Sequence, residues 1–228
     1  MRRPACGGET TLNDLDHRML AGFARFAAVA EASASTIMRL ASERGLLPAA
    51  AEISRAGEAT WRAHDLEYEC WPDRVDEDLT LALNVGDAVL GPKLSEYGRL
   101  AVRLRTEERI GWPGSSVTAD QLAFVGTLLG EMLAVVAGRR ELALILAAEE
   151  PVTRGRVHAW QDRGNHPARL VQALILARDL GDVELEKQVL GILHGYPAKV
   201  PAGYDSVLTQ ARRWAGDFGK ALGRKMTL

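Results

Sequence analysis

Residues 122–137 of the chain, LAFVGTLLGEMLAVVA, are almost uniformly apolar and decide the predicted fold. A membrane-spanning helix needs about 20 such residues, and this segment is shorter and contains Glu131. Residues 118–121, TADQ, match a capping box, in which Thr and Gln side chains satisfy the free N–H groups that begin a helix. The segment is therefore predicted to be a central helix, wrapped by amphipathic neighbours.

Helix signals recur along the rest of the chain, whereas strand signals are scarce. Pro48 suits the first turn of a helix that ends before Pro72 and carries Trp61, His64 and Tyr68 on one face. Further helices are predicted over 79–90, over 92–109 and in the C-terminal half. We therefore expect an all-α fold: a single domain of about eight or nine helices in antiparallel hairpins around helix 122–137.

The domain organisation follows from breaks and repeats in the sequence. We predict a flexible N-terminal tail over 1–12 and an all-helical domain over 13–228, with a subdomain boundary at 111–117, where GWPGSS interrupts the helical pattern. ALILA occurs at 143–147 and again at 173–177. This offset hints at a duplicated helical hairpin, so the C-terminal half would resemble a helical repeat. The alternative is that these letters are ordinary for any helix core.

Composition limits the classes of function. The chain has 228 residues, 47% of them hydrophobic and 25% charged, and a formal net charge of −2. This balance indicates a folded globule and gives no overall basic surface for nucleic acid or anionic membranes. Two cysteines are too few for a disulfide framework or a zinc cluster. Because no apolar stretch follows Arg2 and Arg3, no secretory signal is predicted, and we expect a cytoplasmic protein.

The polar stretch at 158–170, HAWQDRGNHPARL, has two interpretations. As a connector, it supplies Asn165 and Pro167 to begin a helix. As a site, its histidines and arginines would bind an anion or transfer protons near neutral pH. Glu131 would mark a pocket, because a carboxylate in an apolar core must be paired, protonated or functional; the alternative is that it points outward, beside Thr127. The predicted binding residues are Glu131, Arg154, Arg156, His158, Trp160, Asp162, Arg163 and His166.

Two acidic clusters, DRVDED at 73–78 and DLGDVELE at 179–186, allow a metal hypothesis. If they faced one cavity, Asp73, Asp76, Asp179 and Asp182 would hold Mg²⁺. Acidic residues at helix starts are also favoured by the helix dipole, which explains both clusters without a metal. We therefore predict no metal and no cofactor, and keep the magnesium site as the alternative.

The function predicted from these features is a non-enzymatic protein–protein interaction protein of bacterial type: an adaptor, an immunity-type protein or a regulatory partner. A protein partner or self-association is expected. The alternative is a helical enzyme or small-molecule binder with a polar pocket in its apolar core. A nucleic-acid partner is not expected, although basic residues would suit one; they are Arg139, Arg140, Arg154, Arg156 and Arg163.

Overall fold

The structure, a computed structural model, describes residues 34–97, 99–160, 165–197 and 205–228. Its described part contains an eight-stranded antiparallel sheet as well as seven helices. The predicted all-α helical bundle is therefore wrong, and the fold mixes α and β structure. The predicted tail over 1–12 lies outside the described residues.

The secondary-structure elements alternate along the chain. The first half contains α1 over 34–43, β1 (Glu52–Ile53), β2 (Ala59–Ala63), β3 (Leu66–Val75), β4 (Asp78–Asp87), α2 (Gly91–Leu94), β5 (Ala101–Thr106) and β6 (Ile110–Gly111). The second half contains α3 (Ala119–Val135), α4 (Arg139–Ala147), β7 (Val152–Arg154), β8 (Val157–Trp160), α5 (His166–Leu180), α6 (Val183–Gly195) and α7 (Val207–Ala221). A short 3₁₀ turn, Ser95–Tyr97, follows α2.

The sheet has the strand order β1-β2-β3-β4-β5-β8-β7, and β6 adds a short pairing with β4. Every pairing is antiparallel. Tight turns join the central hairpins. His64 and Asp65 link β2 to β3 with φ of 52° and 60°, and Asp76 between β3 and β4 has φ of 59°. These polar residues tolerate the left-handed conformation that such turns require.

The alternation of buried and exposed residues explains why the first segments predicted as helices form strands. In β3, Leu66, Tyr68 and Cys70 are buried, while Glu67 lies exposed between them. That period of two places one side of the strand in the core. Helical spacing gave a competing signal, because Trp61 and Tyr68 are seven residues apart and also share a face across two strands, with ring centroids 5.1 Å apart. The helices predicted over 48–71 and 79–90 are therefore wrong, and the one predicted over 92–109 is helical only at its start, before β5 begins.

The predicted helix at 122–137 exists, but it does not lie at the centre. Its capping box is confirmed: Thr118 Oγ1 accepts from the Gln121 backbone N–H at 3.2 Å, and the Thr118 N–H donates to the Gln121 side chain at 2.9 Å. One face of α3 is exposed, at Ala123, Thr127 and Gly130. These small residues made the segment look uniformly apolar without requiring burial.

Helix α5 occupies the central position instead. Every residue from 166 to 177 is buried. Helices α4, α6 and α7 all pack against it. Its apolar sequence is interrupted by Arg169 and Gln172, which are nevertheless buried. For this reason the sequence pattern did not indicate that this helix is the central one. A helix buried on all sides is the true core of the helical layer.

The helices form two tiers on one face of the sheet. Helices α3 and α4 contact strands β4 and β5, and α5 lies beyond α4 with α6 and α7 around it. The opposite face, called here the open face, exposes side chains such as Thr60, Arg62, Glu67 and Arg105. Within the described residues, this face is available to a ligand.

The two ALILA segments lie in α4 and α5, which pack together. The hairpin of β7 and β8 follows α4, whereas α6 follows α5. Because the two copies continue into different structures, the predicted helical repeat is wrong. Residues 111–117 link β6 to α3, and the subdomain boundary proposed there stays a prediction.

A buried ion-pair network joins the sheet to the helices. Arg139 at the start of α4 donates to Asp87 at the end of β4 (2.5 Å) and to Asp179 near the end of α5 (2.7 Å). The Asp87 side chain is fully buried and also accepts from the backbone N–H groups of Val89 and Leu90. This network, called here the junction, fixes α4 and α5 relative to the sheet.

Candidate functional site

Strand register brings a row of side chains together on the open face. Trp71, Ala82, Arg105, His158 and Thr153 are successive cross-strand neighbours through β3, β4, β5, β8 and β7. Direct neighbours in antiparallel strands share a face and place their side chains about 5 Å apart. The row therefore places an aromatic ring, a guanidinium and an imidazole on one surface.

A second row contributes another arginine. Arg103 pairs with Asn84 on one side and with the backbone of Trp160 on the other. Its guanidinium carbon lies 4.6 Å from the centroid of the Trp71 ring, a cation–π contact that holds the guanidinium in place. Small Ala82 beneath this pair leaves room for the stacking. Trp71, Arg103, Arg105 and His158 are called here the arginine cluster.

Within the part of the chain that the structure describes, no ion pair neutralises the two arginines of the arginine cluster. Neither Arg103 nor Arg105 forms an ion pair with a carboxylate of the described residues. Glu69, which shares a row with Arg103, binds Asn84 (2.9 Å) and Arg99 (3.0 Å) instead. The Nε atom of Arg103 is buried without a hydrogen-bond partner in the described structure.

The pKa of Arg103 reflects these surroundings. Burial lowers the pKa of this guanidinium, and repulsion from Arg105 lowers it further. The negative charges of Asp73 and Glu69 oppose the shift without reversing it. Burial is the larger cause of the shift, and a bound anion would relieve the part that comes from repulsion by Arg105.

His158 is positioned by a neighbour in the same row. Its Nδ1 atom and the Thr153 hydroxyl share a hydrogen bond of 2.9 Å. When the hydroxyl donates, the proton of the neutral ring lies on Nε2, where it serves as a donor to a ligand. The cluster thus offers two guanidiniums and an imidazole, which are suited to binding an anion.

A furrow next to the cluster has a different charge. It has a volume of about 370 Å³ and is lined by side chains of both signs, including Glu52, Arg62, Glu67, Glu69 and Arg99. Its acids are partly neutralised, because Arg62 binds Glu67 at 3.2 Å and Arg99 binds Glu69 at 3.0 Å. The open face is therefore basic at β5 and β8 and balanced or acidic towards β1.

The structure brings three of the predicted site residues together elsewhere. Arg156 in the turn between β7 and β8 donates twice to Glu131 of α3, at 2.7 Å each, and Arg154 lines the same shallow hollow of about 500 Å³. This bidentate hydrogen bonding lowers the pKa of Glu131. Glu131 is 39% exposed. Glu131 is therefore not a carboxylate of the apolar core and points outward, which is the alternative that the sequence left open, and it lines this hollow.

His166 serves the helical layer. Its Nε2 atom lies 3.3 Å from the Ala147 carbonyl oxygen at the end of α4, and its Nδ1 atom lies 2.9 Å from the Tyr196 hydroxyl. Burial lowers the pKa of His166. Arg169 donates to the carbonyls of Leu146 and Ala148 at the same helix end. Both side chains satisfy carbonyl groups that the helix itself leaves free.

The remaining predicted residues are distributed as follows. Trp160 ends β8 with its backbone opposite Arg103. Asp162 and Arg163 lie outside the described residues. Of the predicted binding residues, His158 belongs to the arginine cluster.

The four proposed metal ligands each have a different place or partner in the fold. Asp76 lies in the turn after β3, whereas Asp179 binds Arg139 and Asp182 binds Arg140 while capping α6. Asp73 lies in β3, opposite Thr80. Among the residues that the structure describes, no group of three or more His, Cys, Asp or Glu side chains is arranged to hold a metal ion.

Sequence reasoning missed Trp71, Arg103 and Arg105. The sequence signal for a strand was present in residues 101–106, AVRLRT, where apolar and basic residues alternate. Read as a strand, that segment places Arg103 and Arg105 on one face. Read as a helix, it separates them.

No family model, curated protein or solved structure matches the chain. None of the described helices is by itself long and apolar enough to cross a membrane. Helices α3 and α4 meet those criteria only as a pair, and they are bent by 79° relative to each other. The function is therefore argued from the site.

Proposed function

We propose that the chain is a non-enzymatic binding protein whose arginine cluster binds an acidic segment of a partner protein. The observation that carries this proposal is the pair Arg103 and Arg105, held beside Trp71 on an open sheet face without a carboxylate partner among the described residues. An adaptor or regulatory role in the cytoplasm, as the sequence predicts, belongs to the same proposal.

The residue types of the cluster favour a protein partner. Tryptophan and arginine supply a large share of binding energy in protein interfaces, because each combines apolar area with directional hydrogen bonding. The cluster lies on a strand surface, so the partner meets a firm platform. Its side chains stand in rows on a sheet face, an arrangement typical of an interface rather than of an enclosed substrate pocket.

The surrounding charges argue against nucleic acid as the main ligand. A phosphate backbone needs a continuous basic track, and the furrow beside the cluster contains Glu52, Glu67 and Glu69. Three of the arginines first considered for nucleic acid already bind carboxylates: Arg139, Arg140 and Arg156. A protein segment that is acidic only where it crosses β5 and β8 fits this face better.

The test compares two exposed arginines. Tagged wild-type protein, Arg105→Glu and the control Arg212→Glu on α7 are expressed in the source organism, crosslinked and purified. A genuine partner depends on Arg105 and not on Arg212. It is then purified, and calorimetry measures its affinity. We expect Arg105→Glu to weaken binding about tenfold or more and Arg212→Glu to leave it unchanged.

Two results would overturn the proposal. One is equal affinity of the wild type and Arg105→Glu for every purified partner. The other is a nucleic acid as the ligand that depends on Arg105, recognised by its absorbance at 260 nm and by affinity that falls steeply with salt.

A further inference from the structure

The two arginines of the cluster are spaced to act on one ligand group. Arg103 and Arg105 are two residues apart in β5, so their side chains leave the same face about 6.6 Å apart along the strand. His158 lies directly across from Arg105 in β8. Arginine side chains are long enough to converge from this spacing onto a single anion.

The charge of the cluster indicates how much negative charge the ligand carries. The guanidiniums of exposed Arg105 and partly buried Arg103 lie on the open face, and no carboxylate of the described residues forms an ion pair with either. A single carboxylate would neutralise only one of them. A phosphate monoester carries a charge of about −1.5 to −2 near neutral pH and offers three strong acceptor oxygens. It matches the cluster in both charge and number of acceptors.

The stacking of Arg103 on Trp71 adds geometric selectivity. Contact with the ring orients the planar guanidinium. A fixed guanidinium presents two parallel N–H groups, and phosphate oxygens accept such a pair well. Arg105 is exposed and can supply a second pair.

We propose that the arginine cluster recognises a phosphorylated side chain on the partner segment. This inference rests on the proposed function, because it specifies the acidic group that the partner presents. The cluster lies on an open face and not in a closed pocket, so free inorganic phosphate is expected to bind weakly. Selectivity then comes from the phosphate and the neighbouring residues of the segment together.

The test uses the full chain and three peptides of one acidic sequence that differ at the central residue: phosphoserine, glutamate and serine. Fluorescence polarisation measures affinity, and NMR chemical shifts of arginine Nε–H groups locate the contact. We expect the phosphoserine peptide to bind about tenfold tighter than the glutamate peptide, since it gains at least one charge-assisted hydrogen bond. Inorganic phosphate competes only at high concentration.

Matched variants separate charge from geometry. Arg105→Lys keeps the charge and loses the paired N–H groups, so it should lose most of the preference for phosphoserine over glutamate. Arg105→Glu should lose both peptides, and Arg212→Glu should bind both as the wild type does. Circular dichroism and thermal unfolding confirm that each variant is folded.

The outcomes distinguish the two proposals. Equal affinity for the phosphoserine and glutamate peptides, both dependent on Arg105, would overturn phosphate recognition and leave acidic-segment binding in place. Binding that does not depend on Arg105, or no binding of either peptide at millimolar concentration, would overturn both.

Discussion

The molecule uses arginine in two opposite ways. At the junction, Arg139 is 9% exposed and lies between Asp87 and Asp179, which neutralise it. On the open face, Arg103 and Arg105 lie side by side with no described carboxylate in ion-pair contact. One arrangement satisfies its charge within the fold, and the other leaves its charge for a ligand.

The pKa values of Arg139 and Arg103 are shifted in opposite directions. Burial lowers the pKa of Arg139, but the hydrogen bonds that it donates to Asp87 and Asp179 more than reverse this, so its pKa lies above the ordinary value. Burial and Arg105 both lower the pKa of Arg103. Arg139, enclosed between the sheet and the helices, needs its carboxylate partners, whereas Arg105 is exposed and Arg103 is only partly buried at the sheet surface. Two neighbouring arginines without a carboxylate partner among the described residues therefore point to binding, and an arginine paired like Arg139 points to stability.

The largest expected effect is at the junction. Arg139→Met leaves the carboxylate of Asp87 buried without its cation, so we expect the free energy of unfolding to fall by about 3–5 kcal/mol. Urea unfolding followed by circular dichroism measures this change. In the control Arg140→Met, an exposed arginine loses only its pair with Asp182 and stability should hardly change. Similar losses in both variants would contradict the distinction.

Removing an arginine from the open face should not destabilise the protein. Arg105→Gln removes repulsion between two like charges, so the free energy of unfolding should stay the same or rise slightly. Binding of the acidic partner should weaken about tenfold. Thermal unfolding and calorimetry on the same preparation give both numbers. A loss of stability of more than about 1 kcal/mol would mean that Arg105 supports the fold and is not reserved for a ligand.

The sequence predicts the helical half of this fold better than the sheet. The capping box at Thr118 and the helix start at Asn165 and Pro167 depend on nearby residues only, and the structure contains helices at both places. The strands β2 to β5 depend on pairing with distant residues, which no local pattern records. Trp61 and Tyr68 show the difficulty, because seven-residue spacing suits a helix face as well as a cross-strand stack.

Because strands β2 to β5 were predicted as helices, most residues of the candidate site were missed. His158 was predicted because its type suggests chemistry, whereas Arg103 and Arg105 read as the polar side of an ordinary helix. Only strand pairing places Arg105 beside His158 and Arg103 over Trp71. Glu131 was predicted for its apolar surroundings, but the side chain points to a surface where Arg156 meets it.

His166 provides a smaller, pH-dependent effect in the helical layer. Its pKa lies below the ordinary value of 6.5 because it is buried. As the pH falls below that value, the unfolded chain takes up a proton before the folded one, so stability decreases. We expect His166→Gln to reduce the loss of stability between about pH 7.5 and about pH 5.5, measured by urea unfolding. His64→Asn, in an exposed turn, is the control and should keep the wild-type dependence.

The smallest effect is expected for the pair of Glu131 and Arg156. This pair has bidentate geometry at 2.7 Å, with hydrogen bonds nearly as short as those of the junction, but its side chains are 39% and 37% exposed. Water competes for both partners, so geometry alone should add little stability. Glu131→Gln is expected to leave the unfolding midpoint in urea unchanged at low and at high salt. If it instead destabilised the protein as strongly as Arg139→Met, hydrogen-bond geometry and not burial would determine which arginines the fold requires.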